Sequence, residues 1–149
     1  MKSLALLDNA QLAAFLNFVE LVLVPHSGAV IVEGQTGDSM YLVLEGQLRV
    51  YSKQRNGEMI FLRLLEVGDA FGEIALLNHA VRAASVEATR ESRLIKISAA
   101  SLERLMAEQP SLAAHFLFHL ARSLGTQLTT LTKKLRNTLE IANAVSFLE

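Results

Sequence analysis

Apolar and polar positions follow three different patterns along this chain. In residues 1–19, apolar side chains recur at spacings of three and four, which is the period of one face of a helix. Asp8 and Gln11 lie three residues apart and match a capping box at the start of that pattern. The first zone therefore predicts a short helix over about residues 8–18.

Residues 20–97 carry the pattern of β-strands. Short runs rich in β-branched and aromatic residues recur roughly every 8–12 residues, with glycine-containing turns between them. Asn56-Gly57 lies between two such runs and predicts a hairpin turn. No helix-length pattern interrupts this zone, so we expect an antiparallel sandwich or roll rather than a parallel α/β sheet. The runs are residues 21–25, 30–32, 41–44, 48–51 and 60–64.

Residues 98–149 return to helical spacing. Ser98 can cap a first helix that must end or bend near Pro110, and a long helix is expected from about Ser111. The long helix carries one stripe of leucines, which would pack on the body of the domain, on a second copy of the helix, or on each in turn. The stripe consists of Leu117, Leu120, Leu124, Leu128, Leu131 and Leu135.

Composition narrows the class of protein. A chain of 149 residues, 51% hydrophobic and 19% charged, predicts one ordered domain over residues 1–149. The net charge of −1 and the lack of a basic stripe argue against direct binding of nucleic acid. The sequence has no cysteine, which excludes disulfides and cysteine-ligated metals. No apolar stretch reaches about 18 residues, so we expect a soluble cytoplasmic protein without a membrane span.

The residues with the clearest chemistry lie in residues 71–86. Arg82 offers a fork of donors that matches phosphate oxygens, and Glu73, nine residues earlier, is an acceptor that suits a sugar hydroxyl. Residues 72–77 can form one helical turn whose first N–H groups face an anion. Small side chains nearby allow backbone amides to approach a ligand closely; they are Ala75, Ala83 and Ala84. The combination favours a site that holds a sugar and a phosphate together, as in a cyclic nucleotide.

Other polar residues have simpler interpretations. A glutamate at a helix start is usually explained by its favourable interaction with the helix dipole, and an arginine in a strand region is usually solvated. Neither residue alone would therefore indicate a ligand site. His115 and His119 are four residues apart, but no third ligand accompanies them, and we expect no metal site. Ser85 has no histidine and aspartate arranged around it as a motif. We therefore expect no catalytic residues and a binding protein rather than an enzyme.

The segment from Phe71 through Val86 resembles the phosphate-binding cassette of cyclic nucleotide-binding domains. These domains occur in protein kinase A regulatory subunits, cyclic nucleotide-regulated channels and bacterial catabolite activator proteins. Gly37-Asp38 and Gly46 match the family further upstream. The resemblance implies a mainly β fold with flanking helices: an eight-stranded antiparallel β-roll (a jelly roll, or double-stranded β-helix) over residues 20–97. An N-terminal helical part would occupy residues 1–19, and C-terminal helices residues 98–149.

The resemblance also implies a role for each cassette residue. Glu73 would take the ribose 2′-hydroxyl and Arg82 the cyclic phosphate, while amides around Ala75 and Ala83 complete the anion site and Gly72 permits a tight turn. Cyclic-GMP-selective kinase sites carry threonine where this chain has Ala83, which favours cyclic AMP, with cyclic GMP as the alternative. The implied ligand-binding set is Gly72, Glu73, Ile74, Ala75, Arg82, Ala83 and Ala84. Candidates for a base contact on the last helix are Thr126, Thr129 and Thr130.

Three functions fit these observations. The first is a cyclic-nucleotide sensor that passes binding through the last helix to a partner, either a second copy in a homodimer or an unidentified effector protein. The second is a ligand-free dimerisation or interaction module with the same fold. The third is the sensor fragment of a transcription regulator. Such regulators carry a winged helix-turn-helix after the long helix, whereas only about a dozen residues, not basic ones, follow Arg136.

Overall fold

The computed structural model describes residues 7–148. The first helix, α1 (Asn9–Leu16), begins directly after Asp8. The Gln11 N–H donates to the Asp8 carboxylate at 2.7 Å, and the Asp8 N–H donates to the Gln11 side-chain oxygen at 3.1 Å. The predicted capping box is thus confirmed, and the helix ends two residues earlier than expected. The remainder of the predicted N-terminal part, residues 1–6, lies outside the described residues.

Eight strands follow, and all their pairings are antiparallel. They form two four-stranded sheets with the orders β1-β8-β3-β6 and β2-β7-β4-β5. This confirms the predicted mainly β fold, although the runs read from the sequence had not singled out β6, β7 or β8. The strands are β1 (Glu20–Val24), β2 (Ala29–Ile31), β3 (Ser39–Glu45), β4 (Leu48–Lys53), β5 (Met59–Leu65), β6 (Ala70–Phe71), β7 (Ser85–Ala88) and β8 (Ser92–Ser98).

The hydrophobic core lies between the two sheets. Val43 and Leu94 from one sheet and Leu48 and Leu65 from the other belong to a single buried cluster, and none of the four is more than 1% exposed. Burying one such side chain stabilises the fold by roughly 1.5–3 kcal/mol. Because side chains alternate along a strand, this core fixes which residues of each strand face the interior and which face solvent.

The β4–β5 hairpin confirms the turn predicted at Asn56-Gly57. The Gln54 N–H donates to the Glu58 carbonyl at 2.8 Å, and Gly57 has a φ of +87°, which glycine adopts without strain. Further along, the register shifts: Val50 lies opposite Arg63 and Tyr51 lies opposite Phe61, which leaves Leu62 as an extra residue on β5. Such a bulge changes the direction of the neighbouring side chains.

Three further helices complete the elements of the described residues. A short helix, α2 (Glu73–Asn78), lies between β6 and β7. After the strands, α3 (Ala99–Glu108) is capped as predicted, since the Ser101 N–H donates to the Ser98 hydroxyl at 3.2 Å. The long helix, α4 (Pro110–Ser146), has proline at its first position, where the missing N–H costs nothing.

Residue contacts divide the chain into two compact units, and the boundary in the sequence lies between Ala113 and Ala114. The predicted single domain over residues 1–149 stays a prediction. In the second unit, the leucine stripe is exposed over its last part: Leu128, Leu131 and Leu135 are each at least 60% exposed. No helix in residues 7–148 combines the length and the hydropathy that crossing a membrane requires.

Candidate functional site

A cavity of about 230 Å³ lies in the first unit, between α2 with its flanking loops and the β2-β7-β4-β5 sheet. All seven residues of the predicted ligand-binding set line this one cavity. Their roles toward a nucleotide stay predictions, but the fold brings them together as the resemblance implied. The lining residues are Ile31, Val50, Arg63, Phe71, Gly72, Glu73, Ile74, Ala75, Val81, Arg82, Ala83, Ala84 and Val86.

The helical turn expected after Gly72 is present as α2. Gly72 has a φ of +84°, and a Cβ there would lie 2.9 Å from the Ser39 carbonyl oxygen, so a side chain would be both strained and crowded. Glu73 is the first helical residue and is buried, only 5% exposed. The N–H groups of the first turn have no acceptor within the helix, and the residues of that turn, Glu73 to Ala75, line the cavity.

Arg82 is held in place at both its backbone and its side chain. Its N–H donates to the Gln35 carbonyl at 2.8 Å, and its carbonyl accepts from the Gly34 N–H at 2.9 Å. Its guanidinium donates to the Ser39 carbonyl at 2.8 Å and to the Gly72 carbonyl at 3.4 Å. A guanidinium has five N–H donors, so these two bonds orient the group and leave donors for an anion in the cavity.

Gly37 leaves the space that the Arg82 side chain occupies. Sequence analysis did not identify this role of Gly37. A Cβ at Gly37 would lie 2.1 Å from Nε and 2.3 Å from Cζ of Arg82, so only glycine lets the guanidinium pass. In the sequence, Gly37-Asp38 matched the family pattern, but nothing tied it to a residue 45 positions later. The contact exists because Gly37, just before β3, and the segment before β7 are brought side by side; the Gly37 N–H donates to the Ala80 carbonyl at 3.1 Å.

The floor of the cavity is one row of residues across the sheet. Ile31 pairs with Val86, Val86 with Val50, and Val50 with Arg63, so the row runs from β2 to the edge strand β5. Three of the four are apolar and offer a flat surface to a ring system. Sequence analysis assigned none of them to the site, because in the sequence a strand residue that lines a cavity looks the same as one that fills a core.

The three predicted base-contacting threonines lie on α4, in the second unit. Each hydroxyl donates to the backbone carbonyl four residues earlier: Thr126 to Arg122 at 3.1 Å, Thr129 to Gly125 at 3.0 Å, and Thr130 to Thr126 at 3.0 Å. These bonds satisfy the hydroxyl proton locally and leave the oxygen able to accept. Their contact with a base stays a prediction.

The structure also shows how the potential metal ligands of the described residues are arranged. Within residues 7–148, no group of three or more histidine, aspartate or glutamate side chains is placed to hold a metal ion. His115 and His119 both lie on α4, one turn apart. The charged side chains that line the cavity are those of Arg63, Glu73 and Arg82.

The cavity thus brings together an anchored arginine, a buried carboxylate and the start of a short helix above an apolar floor. A family model described as the cyclic nucleotide-binding domain matches residues 23–109. The chain therefore belongs to the cyclic nucleotide-binding domain family, whose members are regulatory binding domains rather than catalytic ones. This confirms the resemblance drawn from the cassette.

Individual relatives extend the comparison. The chain is 29% identical to the cyclic AMP receptor protein of Thermus thermophilus, over 73% of this chain and 50% of that protein. It is 29% identical to the regulatory domain of Toxoplasma gondii PKA in complex with cAMP, with a TM-score of 0.60 over 68% of this chain and 39% of that one. A solved protein from a cyclic-GMP-dependent signalling pathway of bacterial phytopathogenesis is also 29% identical, with a TM-score of 0.63 over 80% and 96% of the two chains. The chain spans about half the length of the curated bacterial regulators that it matches.

Proposed function

We propose that this chain is a sensor of a cyclic purine nucleotide, with cyclic AMP as the first candidate, and that it passes ligand binding through α4 to a partner. The observation that carries the proposal is the single cavity that joins Arg82, Glu73 and the first turn of α2. A cationic fork, an acceptor and backbone donors converge there on a volume that one small ligand would fill.

Each part of the nucleotide has a matching group. The cyclic phosphate would accept from Arg82, whose orientation the Ser39 and Gly72 carbonyls already fix, and from the amides near Ala75 and Ala83. The ribose 2′-hydroxyl would donate to Glu73. The apolar row across the sheet would pack against the ribose and the base. Since Arg82 is pre-oriented, little side-chain entropy is lost on binding.

The choice of cyclic AMP depends on Ala83 and on the relatives. Ala83 stands where cyclic-GMP-selective kinase sites carry threonine, and a related receptor and a related kinase regulatory domain are named for cyclic AMP. Cyclic GMP is the alternative, supported by the solved protein from a cyclic-GMP-dependent pathway. Thr126, Thr129 or Thr130 would contact the base from α4.

Calorimetric titration of the wild-type chain with cyclic AMP and cyclic GMP tests the proposal. We expect saturable binding of cyclic AMP at one site per chain and a matching rise in Tm, because a ligand that binds only the folded state stabilises it. AMP, which carries the same base and sugar without the cyclic phosphate, is the control and should bind far more weakly. Absence of both heat and Tm shift with either cyclic nucleotide would remove the sensor function and favour the ligand-free interaction module.

Signal transmission needs two states of the protein that differ in affinity for the nucleotide. A ligand that binds one state a hundredfold more tightly shifts the equilibrium toward it by about 2.7 kcal/mol. The exposed leucines of α4 are the surface through which we propose that a homodimer partner or an effector senses that shift. The alternative of a sensor fragment of a transcription regulator remains compatible with the length and names of the bacterial relatives.

The homodimer has its own test. Leu131, with neighbours Leu128 and Leu135 on the same face, is 60% exposed and would be buried between two α4 helices. Sedimentation at micromolar concentration should give a dimer mass for the wild type and a monomer mass for Leu131→Lys. Asn137→Lys places the same charge on the opposite face of α4 and should leave the dimer intact. A monomeric wild type, with and without nucleotide, would contradict the dimer.

A further inference from the structure

Glu33 lies just after β2 and joins three strands of one sheet, although sequence analysis assigned it no role. Its two carboxylate oxygens accept from the end of β4: the Ser52 hydroxyl donates to Oε1 at 2.8 Å, and the Lys53 N–H donates to Oε2 at 3.0 Å. Its own N–H donates to the Ser85 hydroxyl at 2.9 Å, at the start of β7. Glu33 therefore ties the end of β2 to both β4 and β7.

The order of the strands makes this contact a bridge past β7. In the β2-β7-β4-β5 sheet, β7 lies between β2 and β4, so a side chain that reaches from the end of β2 to β4 passes the point where β7 begins. That point is Ser85, which directly follows Ala84 in the wall of the cavity. The Lys53 N–H and the Ser52 hydroxyl lower the pKa of the Glu33 carboxyl, so both donors favour its ionised form. A charged acceptor makes the stronger hydrogen bonds.

The four residues after Glu33 hold the backbone of the cassette arginine. The Gly34 N–H donates to the Arg82 carbonyl at 2.9 Å, and the Arg82 N–H donates to the Gln35 carbonyl at 2.8 Å. The segment then reaches Gly37, where the guanidinium occupies the space that a Cβ would need. Fixing the start of this segment at Glu33 therefore restricts both the backbone and the side chain of Arg82.

Resting on the proposed function, we infer that Glu33 is a positioning residue for the nucleotide site. Glu33 does not line the cavity, so it acts through the backbone that carries Arg82 and Ala84. By fixing that backbone to β4, which contributes Val50 to the floor, it holds the phosphate-binding group at a set place above the floor before the ligand arrives. Such preorganisation raises affinity, because less conformational entropy is lost on binding.

Amide hydrogen exchange in the absence of nucleotide tests the positioning role directly. In Glu33→Ala, the Gly34 and Arg82 amides should exchange at least about tenfold faster than in the wild type, because their segment is no longer fixed at its start. The amides of β8, between β1 and β3 in the other sheet, should change by less than about threefold, and Tm should fall by less than about 3 °C. An equal acceleration in β8 would show that Glu33 supports only global stability, and unchanged exchange at Gly34 and Arg82 would also overturn the inference.

Calorimetric titration with cyclic AMP tests the consequence for binding. Glu33→Ala should weaken binding about tenfold, and Ser52→Ala, which removes one of the two bonds to the carboxylate, about threefold. The double variant should be little weaker than Glu33→Ala alone, because its second change removes a bond that is already lost. Ser52→Thr keeps the hydroxyl on a β-branched residue that suits a strand, and should bind like the wild type.

Glu58→Ala is the matched control, because Glu58 is an exposed glutamate of the β4–β5 turn. Within residues 7–148, its carboxylate forms no ion pair or hydrogen bond, so both exchange and affinity should stay unchanged. Wild-type affinity in Glu33→Ala, or fully additive losses in the double variant, would overturn the inference. A folded wild type that binds no nucleotide would overturn the proposed function, whereas the exchange comparison, which uses no ligand, would still decide whether Glu33 holds the segment beside Arg82.

Discussion

The Arg82→Leu variant is expected to bind cyclic AMP at least about a hundredfold more weakly than the wild-type protein. Truncating one partner of a hydrogen-bonded charge pair in a binding site costs about 2–5 kcal/mol, and 2.7 kcal/mol corresponds to a hundredfold. Leucine fills a similar space but offers no donor, so the cyclic phosphate would enter an apolar wall without a partner. The measurement is the calorimetric Kd, with circular dichroism to check that the fold is retained.

Two further variants separate the effect of the Arg82 charge from that of its hydrogen-bond geometry and from the loss of an arginine elsewhere. Arg82→Lys keeps the charge but loses the planar fork and its bonds to the Ser39 and Gly72 carbonyls, so we expect an affinity between those of the wild type and the leucine variant. Arg93→Leu removes an exposed arginine that pairs with Glu45, away from the cavity, and should bind like the wild type. Wild-type affinity in Arg82→Leu would show that the phosphate is bound elsewhere.

Replacing Gly37 by alanine is expected to weaken nucleotide binding about tenfold or more while changing the free energy of unfolding by less than about 1 kcal/mol. The added methyl group would overlap Nε and Cζ of Arg82, and the end of a flexible side chain can move aside without disturbing the backbone. The guanidinium would then leave the Ser39 carbonyl and point away from the cavity. Chemical denaturation and calorimetry on the same preparation measure the two effects separately.

A double-mutant comparison shows whether Gly37 acts through Arg82. In the Arg82→Leu background, the side chain ends at Cδ and no atom occupies the place of Nε and Cζ, so Gly37→Ala should cost much less affinity than in the wild type. Gly57→Ala adds a methyl group in open space at the β4–β5 turn and should affect stability through its positive φ but not binding. Equal losses in both backgrounds would mean that Gly37 supports the site independently of the arginine.

Local features of the sequence predicted much of the fold. The Asp8–Gln11 capping box, the Asn56-Gly57 turn and the Ser98 cap each depend on residues within a few positions of one another, and all three are present. The strands that the sequence runs did not identify include β8, which pairs with both β1 and β3 in one sheet. Which residues of β8 are buried depends on its two neighbouring strands, and the sequence does not show which strands those are.

The candidate site was likewise predicted only in part from the sequence. The seven cassette residues lie within 13 positions of one another, from Gly72 to Ala84, and the resemblance to the family assigned them to one site. The sequence by itself therefore determined the family, the mainly β fold and the cassette side of the cavity, because those depend on short-range patterns. Only the tertiary structure decided that Gly37 makes room for Arg82, and that a row from Ile31 to Arg63 forms the floor. Those contacts join residues far apart in the chain, and strand pairing and register, which no local pattern specifies, bring them together.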